Sequence, residues 1–274
     1  MGFVYLYAIV QVVGFSLRDR GLGPWVGTKN YFSLLADPVF WIALRNNVSL
    51  LGLIPILIFL SLVFASLLYE RFPGWKLYRV VIFLPYAIPV VVAGLALSFL
   101  LETRGLVNQL LRMVGLRFLA LNWLGDSHVA LFTVGGVILW RELGFGIILF
   151  LARMTQLSVE LYESARLDGA GWWQTLALIT VPQLSTIIAF YVGVMVIQLF
   201  SWVFNYIFVL TRGGPGFSTY VSEYYIYQRA FSYDDMGSAS AFSVVVLLLV
   251  LTGTFVYFGW LGRREAREGA GGSL

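Results

Sequence analysis

Three uncharged, strongly apolar runs dictate what this chain can fold into: residues 46–69 between Arg45 and Glu70, residues 80–101 between Arg79 and Glu102, and residues 236–262 between Asp235 and Arg263. A helix of about 20 residues crosses the roughly 30 Å hydrocarbon core of a bilayer, and in lipid only a helix or a closed barrel satisfies its own backbone polar groups. Each run is long enough. Residues 129–152 form a fourth candidate, interrupted by Arg141 and Glu142, and residues 1–17 a short one. Residues 169–211 carry no charge yet exceed one crossing, so Pro182 is the expected division between a loop and a helix over 184–210. Six spans are therefore expected, at about 1–17, 46–69, 80–101, 129–152, 184–210 and 236–262, in one all-α integral membrane domain covering 1–274. No strand signal competes. Charged residues make up only 12% of the chain, against roughly 25% in soluble domains.

The same inventory excludes several functions. The net charge is +4, but Lys and Arg are spread over many loops, and nucleic-acid binding needs a clustered basic stripe. There is no cysteine, hence no disulfide framework, thiolate metal site or thiol nucleophile. His128, the one histidine, stands near a helix entrance as an interfacial residue rather than a ligand. Neither lysine, Lys29 after Thr28 or Lys76 after Trp75, belongs to a Gly-Lys-Ser/Thr phosphate loop. Arg212-Gly213-Gly214-Pro215-Gly216 is glycine-rich, yet no strand precedes it and no Lys-Ser/Thr follows, so it reads as a tight exit turn. No cofactor or metal is expected.

Between the fourth and fifth spans lies a compact amphipathic segment, Glu163-Ser164-Ala165-Arg166-Leu167-Asp168-Gly169, followed after nine residues by Ile179-Thr180-Val181-Pro182. Glu163, Arg166 and Asp168 face water. Leu161, Ala165, Leu167, Trp172, Trp173 and Leu176 are apolar enough to lie on membrane or protein. Gly169 can take the positive φ that ends one short helix and permits another, and Pro182 suits the first turn of the next. Taken alone, the segment could also be an interfacial amphipathic hairpin.

These residues resemble the cytoplasmic coupling loop of permease subunits in binding-protein-dependent ABC importers, whose pattern is Glu-Ala-Ala, three residues, Gly, nine residues, Ile-x-Leu-Pro. Ser164 replaces the middle Ala and Val181 the Leu. The resemblance runs over nearly the whole chain: Phe83-Leu84-Pro85 with Pro89, Gly105-Leu106-Val107-Asn108, Trp123-Leu124, Trp140, Leu210-Thr211-Arg212-Gly213-Gly214-Pro215, Tyr225-Ile226-Tyr227 and Ser238-Ala239-Ser240-Ala241. In order and spacing these are similar to sugar permeases of the maltose and glycerol-3-phosphate importer type. The resemblance implies a six-helix type I importer permease in the inner membrane, with Glu163–Gly169 as a short helix seated in a cleft of an ABC ATPase dimer. It further implies a second homologous permease, an extracytoplasmic solute-binding protein, a small polar solute such as a sugar, and ATP hydrolysed by a partner rather than by this chain. Lys and Arg are nearly equal on the two sides, so it is the resemblance that places the coupling loop and residues 263–267 in the cytoplasm. Relatives carry further residues before this start, so the first helix is expected to lack its first turns, while the terminal residues 269–273 are expected to be mobile.

Polar residues inside spans mark an expected path. Arg141 and Glu142 sit mid-span, where a charge costs roughly 2.5–3.5 kcal/mol and needs a partner or a wet cavity. Adjacent on a helix, they point about 100° apart. Gln198, Trp202 and Asn205 recur at i, i+4 and i+7, one face whose amides and indole suit a carbohydrate. The family places Trp140, Arg141, Glu142 and Phe145 together with this face along the solute cavity. Gln198 and Asn205 could equally be interhelical hydrogen-bond partners. A permease for another small polar solute and an ion-coupled secondary transporter remain the alternatives.

Overall fold

A computed structural model describes residues 2–70 and 73–271. Met1 of the first span, Arg71 of the basic turn, residues 272–274 of the tail and the side chains of Arg263, Arg264 and Arg267 lie outside the described part. In chain order the helices are α1 (Gly2–Ser16), α2 (Lys29–Ala36), α3 (Pro38–Leu51), α4 (Leu53–Tyr69), α5 (Trp75–Ala87), α6 (Val90–Leu100), α7 (Leu106–Met113), α8 (Ala130–Met154), α9 (Val159–Leu167), α10 (Trp172–Thr175), α11 (Val181–Gln183), α12 (Ser185–Ser201), α13 (Phe204–Leu210), α14 (Ser222–Tyr227) and α15 (Met236–Gly271). Among the described residues, extended pairing is limited to one isolated bridge, Arg18 with Trp25.

Three helical stretches are long and apolar enough to cross a bilayer: Pro38–Tyr69, in which α4 follows α3 after Gly52, Ala130–Met154 and Met236–Gly259. Two more candidates are broken. Trp75–Ala87 and Val90–Leu100 meet at 98°, and Trp172–Gln183 and Ser185–Ser201 at 74°. The shorter apolar α1 precedes them. The chain is thus a multi-pass membrane protein, and two of its candidate spans are bent rather than straight.

The first break follows from proline. Pro89 has no N–H and drives the residue before it out of the helical region; Ile88 is extended at φ −75°, ψ 133°. Pro85 lies inside α5. At its other end, α15 continues to Gly271, through residues read as mobile tail.

The backbone divides into two compact units: residues up to 51, 97–134 and from 196 onward in one, and 52–96 with 135–195 in the other. In the first, α15 packs along α1, α2 and α14. Phe242 of α15 meets Phe40 of α3 at 4.8 Å and Tyr225 of α14 at 5.0 Å between ring centroids. The surface helix α7 is tied down by the buried Asn108, which donates to the Leu121 carbonyl and accepts from the Trp123 indole, both at 2.8 Å. In the second unit an aromatic ladder joins three helices: Tyr86 to Phe145, Phe145 to Tyr191, and Tyr191 to Phe150, at 5.6, 5.8 and 5.3 Å.

Candidate functional site

The segment from 158 to 183 is built as a short exposed helix on a fixed hinge. Ser158 precedes α9 in extended conformation, and Glu160 stands in its first turn, on the positive end of the helix dipole. The helix closes through two bonds that satisfy its last carbonyls: Gly169 N–H to Arg166 O at 3.1 Å and Ala170 N–H to Ala165 O at 2.9 Å. That closure needs φ of +77° at Gly169, where a Cβ would meet nothing within 4 Å. The glycine is there for its backbone, not for space.

The inner face of α9 is anchored and the outer face is bare. Ala165 and Leu176 are buried, and the half-buried Tyr162 packs its ring 5.2 Å from Tyr69 and places its hydroxyl 3.4 Å from that of Thr180. Beneath lies a cavity of about 140 Å³ lined by Ser66, Tyr69, Glu70, Arg166, Trp172 and their neighbours. Glu163, Ser164, Arg166 and Asp168 are exposed, and Leu167 is 88% exposed. Gln174 accepts the Gly171 N–H at 2.8 Å, starting α10. Pro182 sits at the start of α11, one turn before the 74° bend.

The mid-span charges are held within the second unit. Arg141 Nη1 donates to Glu142 Oε1 at 2.7 Å, with side-chain exposures of 18% and 8%. The long arginine bends across the angle that separates neighbouring helix positions. Its Nη2 donates to the carbonyls of Tyr86 and Ile88 at 3.3 and 3.4 Å. Those carbonyls border the break between α5 and α6, so the guanidinium supplies donors that the interrupted ladder cannot. Its carbon also lies 5.3 Å from the Tyr86 ring centroid. Phe145 belongs to the aromatic ladder, and Trp140 is 43% exposed.

Gln198, Trp202 and Asn205 lie in the first unit, and they do not share one continuous helix. α12 ends at Ser201 and α13 starts at Phe204, leaving Trp202 in the turn and 65% exposed, with Gln198 and Asn205 half-buried. The i, i+4, i+7 spacing that set them on one face assumed helical rotation through residues where it stops.

The turn is tied to segments distant in sequence. The Leu199 carbonyl accepts Asn47 Nδ2 at 2.7 Å, while Asn47 Oδ1 accepts the Ser222 N–H at 2.7 Å and its hydroxyl at 2.8 Å. Asn46 donates to the Ser218 and Tyr220 carbonyls at 3.0 and 2.8 Å. The Glu223 carboxyl is turned to the N–H groups of Val203 and Phe204 at the start of α13, though neither oxygen reaches full hydrogen-bond geometry. Burial raises its pKa more than those N–H groups lower it, to about 8.

The sign of the consequence is fixed. Between 4.5 and about 8 the folded chain keeps a proton that the unfolded chain has lost. Stability should therefore fall as pH rises through that window, by up to about 1.4 kcal/mol per unit. Glu223→Gln should flatten the slope in thermal unfolding of the solubilised protein. An equal slope in both proteins would contradict this protonation.

A second polar cluster of the first unit went unmarked in the sequence. Asp37 caps α3 through the Val39 N–H at 2.8 Å, just before Pro38. Its other oxygen accepts the Tyr225 hydroxyl at 2.6 Å and the Arg229 guanidinium. Burial works against the charge of Asp37, but these donors outweigh it and hold the carboxyl below its ordinary pKa. Asp-Pro before an apolar run was the available signal for the cap; nothing local pointed to Arg229. Asp235, just before α15, accepts the Ser238 N–H at 3.0 Å.

Comparisons agree over most of the chain. A profile described as "Binding-protein-dependent transport system inner membrane component" matches residues 57–267. A probable ABC transporter permease protein of Pyrococcus horikoshii is 34% identical over 97% of this chain and 92% of its own length. The lactose transport system permease protein LacF of Rhizobium radiobacter is 32% identical over 92% and 87%. Among solved structures, a chain of a bacterial ABC transporter involved in the import of the acidic polysaccharide alginate superposes with a TM-score of 0.82 and 26% identity, over 96% of this chain and 90% of that one.

Proposed function

We propose a function from one premise: the chain belongs to the family of binding-protein-dependent transport system inner membrane components. It is the non-catalytic membrane-spanning permease subunit of an ABC importer, and it carries a carbohydrate across the inner membrane with energy from ATP hydrolysed in a separate subunit. Relatives named for lactose and alginate import support the carbohydrate class.

The observation that carries the mechanism is the geometry of α9: a rigid, glycine-closed helix with Glu163, Arg166, Leu167 and Asp168 bare on one side and Ala165 and Tyr162 anchored on the other. A partner ATPase grips that bare face, each of its two copies serving one of two homologous permeases. Closure of the ATPase dimer pushes on α9. The push passes through Tyr162, Thr180 and Pro182 to the fifth crossing, and alternating access follows without chemistry on the solute. Trp140, Arg141, Glu142 and Phe145 in the second unit are candidates for the solute path, as are, in the first unit, Gln198, Trp202 and Asn205. Within it Arg141 has a positioning role, holding the broken third crossing.

Reconstitution tests the reading. Proteoliposomes carrying both permeases and the ATPase in right-side-out orientation, with ATP inside the lumen and loaded binding protein outside, should accumulate a disaccharide such as maltose, trehalose or lactose. Omitting the ATPase should abolish uptake. Uptake by the purified chain alone on an ion gradient would overturn it.

A further inference from the structure

The connection between the fifth crossing and α15 encloses a cleft of about 220 Å³ that the transport reading leaves without a role. Its walls are Phe217, Tyr220, Tyr225 and Tyr233, with Val39 alongside and Gln228 and Arg229 supplying the polar edge. The size is below the roughly 300–1,000 Å³ of pockets that enclose drug-sized ligands, and fits a single ring.

Three features define what fits. The walls are aromatic and partly open: Phe217 is 46% and Tyr233 63% exposed, so ring surface remains beside the guanidinium that lies over Tyr233. The polar groups are fixed in place. Gln228 spends one N–H on the Tyr224 hydroxyl at 2.8 Å, which orients its amide carbonyl as an acceptor. Arg229 is clamped between Asp37 and the rings of Tyr225 and Tyr233, whose centroids lie 5.1 and 5.7 Å from its carbon, with Asp235 at 4.0 Å. The charge is compensated: Asp37 neutralises Arg229, so an anion finds no unmatched cation here, while guanidinium N–H groups remain as donors.

An aromatic slot with one fixed amide and a neutralised guanidinium matches a neutral polyhydroxylated ring, whose C–H faces stack and whose hydroxyls both donate and accept. We propose that this cleft is a low-affinity station for one neutral sugar unit on the outer face, separate from the mid-membrane path. The inference rests on the carbohydrate reading above and on the outer placement of the connection, one crossing away from α9.

The test uses the assembled importer in right-side-out proteoliposomes without ATP or binding protein. The probe is whichever of maltose, trehalose and lactose the reconstituted importer takes up, added outside only and followed by saturation-transfer difference NMR. The native assembly should transfer magnetisation to the sugar ring protons. Tyr233→Ala and Gln228→Leu should each weaken that transfer about fivefold, with docking affinity for loaded binding protein unchanged. Undiminished transfer in both variants, or none in the native assembly, would overturn the station. So would loss of binding-protein docking in the variants, since the cleft would then receive a protein side chain. If no sugar is taken up at all, the carbohydrate reading itself has failed, which is a distinct result.

Discussion

Gly169→Val is expected to lower ATP-driven uptake about tenfold while the ATPase continues to turn over, and Gly169→Asn is expected to retain most transport. The position is empty of neighbours within 4 Å, so bulk alone does no harm. What fails is the backbone. An L-residue in the left-handed region costs roughly 1–2 kcal/mol, a β-branched one more, whereas asparagine tolerates it. A penalty of that size shifts the closed helix end by about 5- to 30-fold, breaking the bonds from Gly169 and Ala170 to Arg166 and Ala165. α9 then frays at the end that transmits the push. Uptake and hydrolysis measured together in proteoliposomes decide the matter, and full uptake in Gly169→Val would remove the lever from the mechanism.

The second large effect concerns abundance rather than transport. Arg141→Ala removes the guanidinium bonded to the Glu142 carboxylate inside a crossing and leaves the Tyr86 and Ile88 carbonyls without that donor. Breaking one side of a buried pair costs about 3–5 kcal/mol, a large share of the 5–15 kcal/mol that keeps a typical domain folded. Extracted, monodisperse protein should fall to a small fraction of the native level. Arg141→Met combined with Glu142→Gln should recover part of it, because no unpaired charge remains. A melting temperature equal to the native one in Arg141→Ala would show that the pair supports neither the break nor the bilayer crossing.

How much of this was legible follows from the reach of each signal. Charge-free runs located the apolar helices because a lone segment in lipid satisfies its backbone only as a helix, and Gly169 and Pro182 announced the short helix and its hinge because each residue has one strong backbone preference. Pro89 carried a signal for the first break, although the uncharged run continued through it. The break at Trp202 carried none. Ser201, Trp202 and Val203 are ordinary helix residues, and what stabilises their departure is Asn47, 152 positions away from the carbonyl it bonds. For the same reason the face assigned to Gln198, Trp202 and Asn205 was drawn on a helix that stops. Arg141 and Glu142 were identifiable as mid-span charges, but their mutual contact depends on side-chain bending that helical geometry does not specify.

The asparagine pair carries a consequence for biogenesis. Asn46 and Asn47 emerge from the ribosome with α3, whereas the carbonyls and amide that complete them lie 152 to 175 residues downstream. At a synthesis rate of about 5–20 residues per second, roughly 8 to 35 seconds separate the two events. During that interval the two carboxamides at the start of the span lack their native partners, so this end of the nascent helix reaches its final hydrogen bonding only when the later segments are delivered.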